Sequence, residues 1–306
     1  MLPTRQGAFR LFRFAGIDVF LHWSWFLVAA YEISGSKQRY STPVWAAVEY
    51  VVLFVIVTMH ELGHALACRS VGGRADQIVL WPLGGVAYVD PPPRPGPVLW
   101  SIAAGPLVNI VLYPVLTTLF LWSRSSGLAE TAPNLYMFVG SVWFMNRILL
   151  IFNMLPVYPL DGGQILRALL WFPLGRARSL MVSAIIGFVG VAGLILFAWN
   201  EHSTWLGILA AFAGMRCWAG FQQARALTQL AEAPRHEGFA CPSCNTVPPK
   251  GAFWVCSRCR TAFDTFETQA VCPKCSARFD QTRCLECGTL NPISMWSSAV
   301  PVPPPL

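Results

Sequence analysis

Two histidines four residues apart enclose a glutamate in His60-Glu61-Leu62-Gly63-His64, an HExxH motif inside a long apolar stretch that starts near Val44. On a helix, residues four apart stand one above the other, so two imidazole nitrogens can reach a single zinc ion. Glu61 sits one position around the helix, where a general base must stand to take a proton from an activated water. A competing reading, two histidines packed in a bundle or reaching a membrane surface, requires no metal. It loses ground to a second motif about a hundred residues on. Asn153-Met154-Leu155-Pro156-Val157-Tyr158-Pro159-Leu160-Asp161-Gly162-Gly163 follows another apolar run and sets a carboxylate beside two glycines. Asp161 would then be the third zinc ligand.

HELGH in one apolar segment and NxxPxxxLDGG in a later one resemble the site-2 protease family of intramembrane zinc metalloproteases. The resemblance covers residues 7–225 and takes in Trp81-Pro82-Leu83-Gly84-Gly85 and Gly105-Pro106-Leu107-Val108-Asn109. It implies a zinc endopeptidase that hydrolyses peptide bonds in or near transmembrane segments of membrane-protein substrates, and it puts Asn153 in the neighbourhood of the active site. A helix-capping role for Asn153 remains open. Where family members often carry a basic residue just after the DGG, this chain has Gln164, and neither an inserted PDZ domain nor a cystathionine-β-synthase-type tail is recognisable.

Composition agrees with a membrane setting. Hydrophobic residues make up 55% of the chain and charged residues only 12%, with a mean hydropathy of +0.49, values outside the soluble range. The first apolar run carries Asp18 and His22 and lacks a small-residue cleavage site, so it reads as an uncleaved anchor. The expected fold is an α-helical polytopic membrane protein of about six transmembrane helices with a small membrane-associated β-hairpin or sheet, followed by a small zinc-ribbon domain.

The elements that must position the motifs follow from the hydropathy pattern. Residues 7–20 mix aromatic and β-branched residues with arginines and suggest an interfacial strand. Residues 19–33 continue as an apolar helix in which His22 either faces the catalytic cavity or is satisfied by a neighbouring helix, the expected outcome for polar groups in membranes. Residues 44–71 form the HExxH helix. Residues 78–89 read as two short strands folded about Pro82 to Gly85, and non-helical backbone at membrane depth implies a cavity. The hairpin edge could receive a substrate as an added strand, with Gly84 and Gly85 permitting close backbone approach. Residues 98–122 supply a span in which Asn109 would bond a zinc ligand or the transition-state oxyanion, or tie helices together. Residues 134–155 form a further span whose Arg147 should face the bundle or water. Residues 180–199, with Gly187, Gly190 and Gly193 for close helix contact, and 204–221 complete the count. Arg5, Arg10 and Arg13, with Arg167, Arg176 and Arg178, place both termini in the cytoplasm of a prokaryotic inner or cell membrane.

Eight of the ten cysteines fall into four CxxC pairs: Cys241/Cys244, Cys256/Cys259, Cys272/Cys275 and Cys284/Cys287. Two such knuckles close one tetrahedral thiolate site, so two structural zinc ions are expected beside the catalytic one. These look like tandem zinc ribbons. The domain reading is a protease domain over 1–225, a linker over 226–240, ribbons over 241–290 and a disordered proline-rich tail over 291–306. The net charge of +7 leaves only +2 beyond residue 233, where 7 basic residues meet 5 acidic ones. That is too weak to point to nucleic acid; the ribbons suit a protein partner.

In the mechanism these residues suggest, zinc held by His60, His64 and Asp161 keeps a position for water and Glu61 takes the proton. The main alternative is a non-proteolytic membrane scaffold or adaptor that binds partners through its ribbons; the presence of Glu61, which a scaffold would not require, weighs against it. A metal transporter would need ionisable residues spaced along a pathway, and the spans offer few.

Overall fold

The computed structural model describes residues 7–35, 39–81, 84–158 and 160–296. The chain divides into two compact units at Phe221/Gln222, with the short segment Arg176–Arg178 grouped with the second.

The first unit opens with a hairpin of β1 (Ala8–Phe14) and β2 (Ile17–His22), followed by α1 (Ser24–Gly35) and α2 (Pro43–Ser70). Next come β3 (Arg74–Trp81), β4 (Gly84–Asp90), α3 (Pro95–Ser125), α4 (Leu128–Thr131), α5 (Pro133–Asn153), α6 (Asp161–Asn200) and α7 (Thr204–Glu232), whose residues from Gln222 on group with the second unit. The four strands form one sheet in the order β1-β2-β3-β4, in which β2 and β3 run parallel and the outer pairs antiparallel. The expected interfacial strand is thus a hairpin, and the two-stranded unit over 78–89 is half of a larger sheet. Its turn residues 82 and 83 lie outside the described residues. Ile17, Val19, Leu21, Ile78 and Leu80 alternate along β2 and β3 and pack on Val57, Ala65 and Cys68 of α2, so the sheet is fastened to the HExxH helix by apolar burial.

Among the described residues, α2, α3, α5 and α6 are long and apolar enough to cross a membrane, four helices instead of the six expected. Residues 19–22 belong to β2, which leaves α1 only 12 residues. That is about 18 Å of helix against a hydrocarbon core of about 30 Å. In α7 the apolar run is interrupted by Arg216 and gives way to Gln222, Gln223 and Arg225.

Polarity in α2 is inverted relative to a soluble helix. Val44, Val48, Val51, Val55, Met59 and Leu66 face outward, while Glu49, Thr58, His60, Glu61 and His64 are buried. A polar face turned inward is what a helix surrounded by lipid requires. Glu49 is neutralised where α2 begins: Arg39 donates to it at 2.8 Å, and so does the Tyr40 hydroxyl. Burial and then that carboxylate push the Tyr40 phenol up to about 12. Asn146 is buried in the bundle, whereas Arg147, expected to face the bundle or water, is exposed, its guanidinium 5.3 Å from the centre of the Trp143 ring.

The long α6 is two helices joined at Gly175, which takes φ 76° and ψ 173°, just after Pro173. Only glycine adopts that backbone readily.

In the second unit all four knuckles make the same turn. The first cysteine's carbonyl accepts from the N–H four residues on, at Asn245, Arg260, Ser276 and Gly288, and its own N–H donates to the carbonyl five residues on. Each of those four residues has positive φ, the conformation that lets the loop turn both sulfurs of a pair to one side. The knuckles pair in a nested order. Cys241 and Cys244 meet Cys287 and Cys284 at 3.8 and 3.7 Å, while Cys256 and Cys259 meet Cys275 and Cys272 at 3.6 and 3.5 Å. Sulfurs of a tetrahedral zinc site with bonds of about 2.3 Å lie about 3.8 Å apart, so both clusters fit zinc. Nesting leaves room for a shared aromatic core of Trp254, Phe263, Phe266 and Trp296.

Two expected boundaries shift. Trp296 is 1% exposed, its ring centre lies 4.9 Å from that of Phe266, and its carbonyl accepts from Ala240; residues 291–296 therefore belong to the ribbon fold and not to a disordered tail, and 297–306 lie outside the described residues. The segment 226–232 continues α7, so most of the expected linker is helical or packed. Asp264 ties residues 236–267 together. It accepts from the N–H groups of Gly251, Phe266 and Glu267 and meets His236 at 2.9 Å. Burial acts to raise its carboxyl, but these donors outweigh burial and hold it below the usual carboxylate range.

Candidate metal centre and active site

Three side chains from two distant helices converge at one point. His60 and His64 stand one turn apart on α2, and Asp161 opens α6. The Nε2 atoms of the histidines lie 3.1 Å apart, and Asp161 Oδ2 is 3.0 Å from His60 Nε2 and 3.5 Å from His64 Nε2. Ligand atoms of a tetrahedral zinc site with bonds of 2.0 to 2.1 Å are about 3.3 Å apart, so the triangle has the size of one face of that tetrahedron.

The other side of each ring explains why these nitrogens are available. His60 Nδ1 lies 2.6 Å from Asn109 Oδ1 and His64 Nδ1 lies 2.9 Å from the Ser101 carbonyl oxygen. Both partners are acceptors, so each Nδ1 carries the proton and each Nε2 presents a lone pair. Two lone pairs and a carboxylate oxygen at these separations repel one another unless a cation lies among them. The donor set and its spacing fit zinc.

The stripe of α3 that faces α2 has a period of four: Ser101, Gly105 and Asn109. Its middle position leaves no room for a side chain, because a Cβ at Gly105 would fall on the His64 ring, 2.8 Å from Cδ2 and closer to Cε1 and Nε2. On α2, a Cβ at Gly63 would come 2.7 Å from the Ala104 carbonyl oxygen. These two glycines set the helix crossing that carries the histidines to α3.

Glu61 is buried beside the triangle, and its Oε2 accepts from the Ala87 N–H at 3.0 Å. β4 is an edge strand of the sheet, and this N–H bonds Glu61 on the edge away from β3.

Asp161 depends on the loop before it. Backbone of residues 154–158 passes so close to Gly162 and Gly163 that a Cβ at either would strike it. The Val157 side chain fills the notch at Gly190, and the Tyr158 ring sits against Gly220, whose Cβ would come 2.7 Å from Cε1. Cys217 Sγ donates to the Tyr158 carbonyl at 2.6 Å. Of the glycines expected to serve helix contact, Gly187 does so, since a Cβ there would come 2.8 Å from Cys217 Sγ on α7, and it also adjoins Tyr158; Gly190 instead receives Val157 of this loop, and Gly193 has open space beside it. Gly220→Val should displace the Tyr158 ring and, through the loop, Asp161. Metal affinity at this centre is expected to fall about 10- to 100-fold, measured by chelator competition, with the cysteine sites unchanged.

Of the other expected site residues, Asn109 reaches a histidine. Gly84 and Gly85 open β4 opposite Trp81 and Leu80. Asn153 ends α5, half-buried, and among the described residues no hydrogen bond joins it to His60, Glu61, His64 or Asp161. His22 stacks on Trp81 with ring centres 3.7 Å apart, and its Nδ1 lies 2.6 Å from Ser24 Oγ. It is satisfied locally. Ser101, Gly105, Ala87 and the Tyr158–Cys217–Gly220 contact carry roles that the sequence reading did not assign, although the period-four stripe on α3 was visible in it.

The chain is similar to several known proteins. The model of peptidase family M50 matches residues 48–131 and 125–197. A zinc metalloprotease of Methanocaldococcus jannaschii is 35% identical over 178 residues, covering 58% of this chain and 50% of that protein. The Rip3 protein of Mycobacterium tuberculosis is 28% identical over 251 residues, covering 69% and 62%. The solved structure of the site-2 protease from Methanocaldococcus jannaschii is similar with a TM-score of 0.49 and 28% identity, over 70% of this chain and 95% of that one. The chain thus spans about half to three-fifths of the length of these two curated relatives. Because the family match runs from within α2 through most of α6, and so brackets both the histidine pair and the aspartate that meets it, the chain belongs to peptidase family M50, the site-2 protease family.

Proposed function

We propose that the chain is an intramembrane zinc endopeptidase that cleaves membrane-protein substrates in or near their transmembrane segments, with His60, His64 and Asp161 as the zinc ligands and Glu61 as the general base. The supporting observation is the triangle of three ligand atoms with a buried carboxylate beside it. A zinc ion bound there would supply Lewis acidity toward a peptide carbonyl and lower the pKa of water. Glu61 takes a proton from the attacking water and returns one to the departing amine. Asn109 and Ser101 hold the two rings in the ligating tautomer.

A substrate helix must unwind before its carbonyl can be attacked, and the free edge of β4 offers an extended chain backbone partners beside Glu61. Gly84 and Gly85 leave that edge without side chains where it begins. Ala87→Pro should preserve the sheet, because the N–H it deletes points away from β3 and proline is tolerated on edges. Losing a hydrogen bond to a charged group, worth about 1.5 to 3 kcal/mol, should lower turnover roughly 10- to 100-fold while bound zinc stays constant, as seen by parallel rate and metal measurements.

The two cysteine clusters hold structural zinc ions, and the ribbon unit engages a protein partner. Both termini lie on the cytoplasmic side of a prokaryotic membrane, the side that Arg10 and Arg13 ahead of the first span mark. The reading is tested by mass spectrometry of membranes containing wild type or Glu61→Gln. Fragments of membrane proteins that require Glu61 are expected; identical fragment profiles would favour a non-proteolytic scaffold.

A further inference from the structure

Asn146 lies on α5, in neither of the two motifs, and among the described residues no hydrogen bond joins it to His60, His64 or Asp161. Both it and Asn109 are 0% exposed, and their amides interlock. Asn109 Nδ2 donates to Asn146 Oδ1 at 2.8 Å, and Asn146 Nδ2 donates to the Asn109 backbone carbonyl at 3.2 Å. The second bond fixes which end of the Asn146 amide faces α3, since a backbone carbonyl can only accept. That in turn leaves Oδ1 as the atom facing Asn109, so Asn109 must present its NH₂ to Asn146 and its Oδ1 to His60.

The orientation matters because an asparagine amide has two nearly isosteric ends with opposite hydrogen-bonding roles. Turned over, Asn109 would aim its NH₂ at His60 Nδ1, which would then have to accept. The ring proton would move to Nε2 and point at Asp161 and the third corner of the triangle. A nitrogen carrying that proton cannot ligate a metal.

We propose that Asn146 is a positioning residue that selects the ligating tautomer of His60 by holding Asn109 in one amide orientation. This rests on the reading of His60, His64 and Asp161 as a zinc centre. The relay runs from a backbone carbonyl through two buried amides to a ring nitrogen, across α5, α3 and α2.

The role predicts an interaction that a packing role would not produce. Asn146→Leu, of similar volume, removes the selector. In an Asn109→Asp background both carboxylate oxygens accept, so no orientation has to be chosen, and a carboxylate bonded to a ligating histidine is a common support for metal. Full-length protein in detergent is titrated with Co²⁺, whose bands at a centre of two histidines and one carboxylate lack the sulfur-to-metal charge transfer of the thiolate sites. Asn146→Leu is expected to weaken Co²⁺ binding at this centre about 10- to 100-fold. In Asn109→Asp a carboxylate oxygen replaces the NH₂ that faced Asn146 Oδ1, so adding Asn146→Leu there relieves an acceptor–acceptor contact and should cost nothing further, which also shows that leucine is accepted at 146. Wild-type affinity in Asn146→Leu, or an equal loss in both backgrounds, would overturn the proposal. His60→Ala separates the two readings. If it leaves the non-thiolate site intact, the zinc centre itself is wrong; if it abolishes that site while Asn146→Leu binds normally, only the relay is wrong.

Discussion

Gly105→Val is expected to abolish metal binding at the His60–His64–Asp161 centre while leaving both cysteine clusters loaded. The first atom of any side chain at 105 would lie within the His64 imidazole, so the ring must swing away or α3 must withdraw from α2. The ring cannot swing and stay useful, because its Nδ1 is held by the Ser101 carbonyl one turn back along the same helix. Withdrawal of α3 would carry off Asn109 and Ser101 and open the contact at Gly63 and Ala104. Either response breaks a ligand and at least one outer support, and loss of one outer support alone lowers metal affinity about 10- to 100-fold. The expected loss therefore exceeds 100-fold, read by chelator competition. Gly105→Ala should act in the same direction with a smaller shift of the helices.

Glu61→Gln is expected to lower turnover by about 10²- to 10⁴-fold, the usual contribution of a positioned general base, with zinc content unchanged. Glutamine keeps the size of the side chain, and its carbonyl oxygen can still accept from the Ala87 N–H, so the edge strand and the helix stay in place. What is lost is a group able to hold a proton during attack. Rates on a purified membrane-protein substrate, measured beside metal content for the same preparations, distinguish this from a ligand variant such as His64→Ala, which should lose rate and metal together.

Much of this centre could be read from the chain because its signals are local. The spacing of His60 and His64 converts directly into one helix face, and the carboxylate at the head of a glycine pair announces a tight approach. The CxxC pairs were equally plain, each being a self-contained turn. What sequence could not supply was the identity of distant partners. Parallel pairing of β2 with β3 joins Val19 to Ile78 across two intervening helices, and nothing in either strand names the other. Cysteine spacing gave knuckles without their nesting, since any two can close a tetrahedron; the aromatic core that decides the matter forms only in three dimensions. Gly187 and Gly190 mark a close approach, yet the same pattern serves a neighbouring helix, as at Gly187 and Cys217, or a loop, as at Gly190 and Val157. Asn109 reads in the sequence as a partner of a zinc ligand or of the oxyanion, or as a tie between helices, and in the structure it bonds both His60 and Asn146; nothing in the sequence pairs it with Asn146. Of the residues 19–33 expected as a first span, 19–22 pair in the sheet, and the 12 described residues of α1 fall short of a span by length.

The central claim is that one metal ion sits among the three ligand atoms brought together from α2 and α6. An anomalous-scattering map recorded at the zinc edge from crystals of the zinc-loaded full-length protein tests it most directly. A peak is predicted about 2.0 to 2.2 Å from His60 Nε2, His64 Nε2 and an Asp161 carboxylate oxygen, in addition to one peak in each cysteine cluster. Peaks confined to the cysteine clusters, with the histidines and Asp161 ordered and no density between them, would contradict the account.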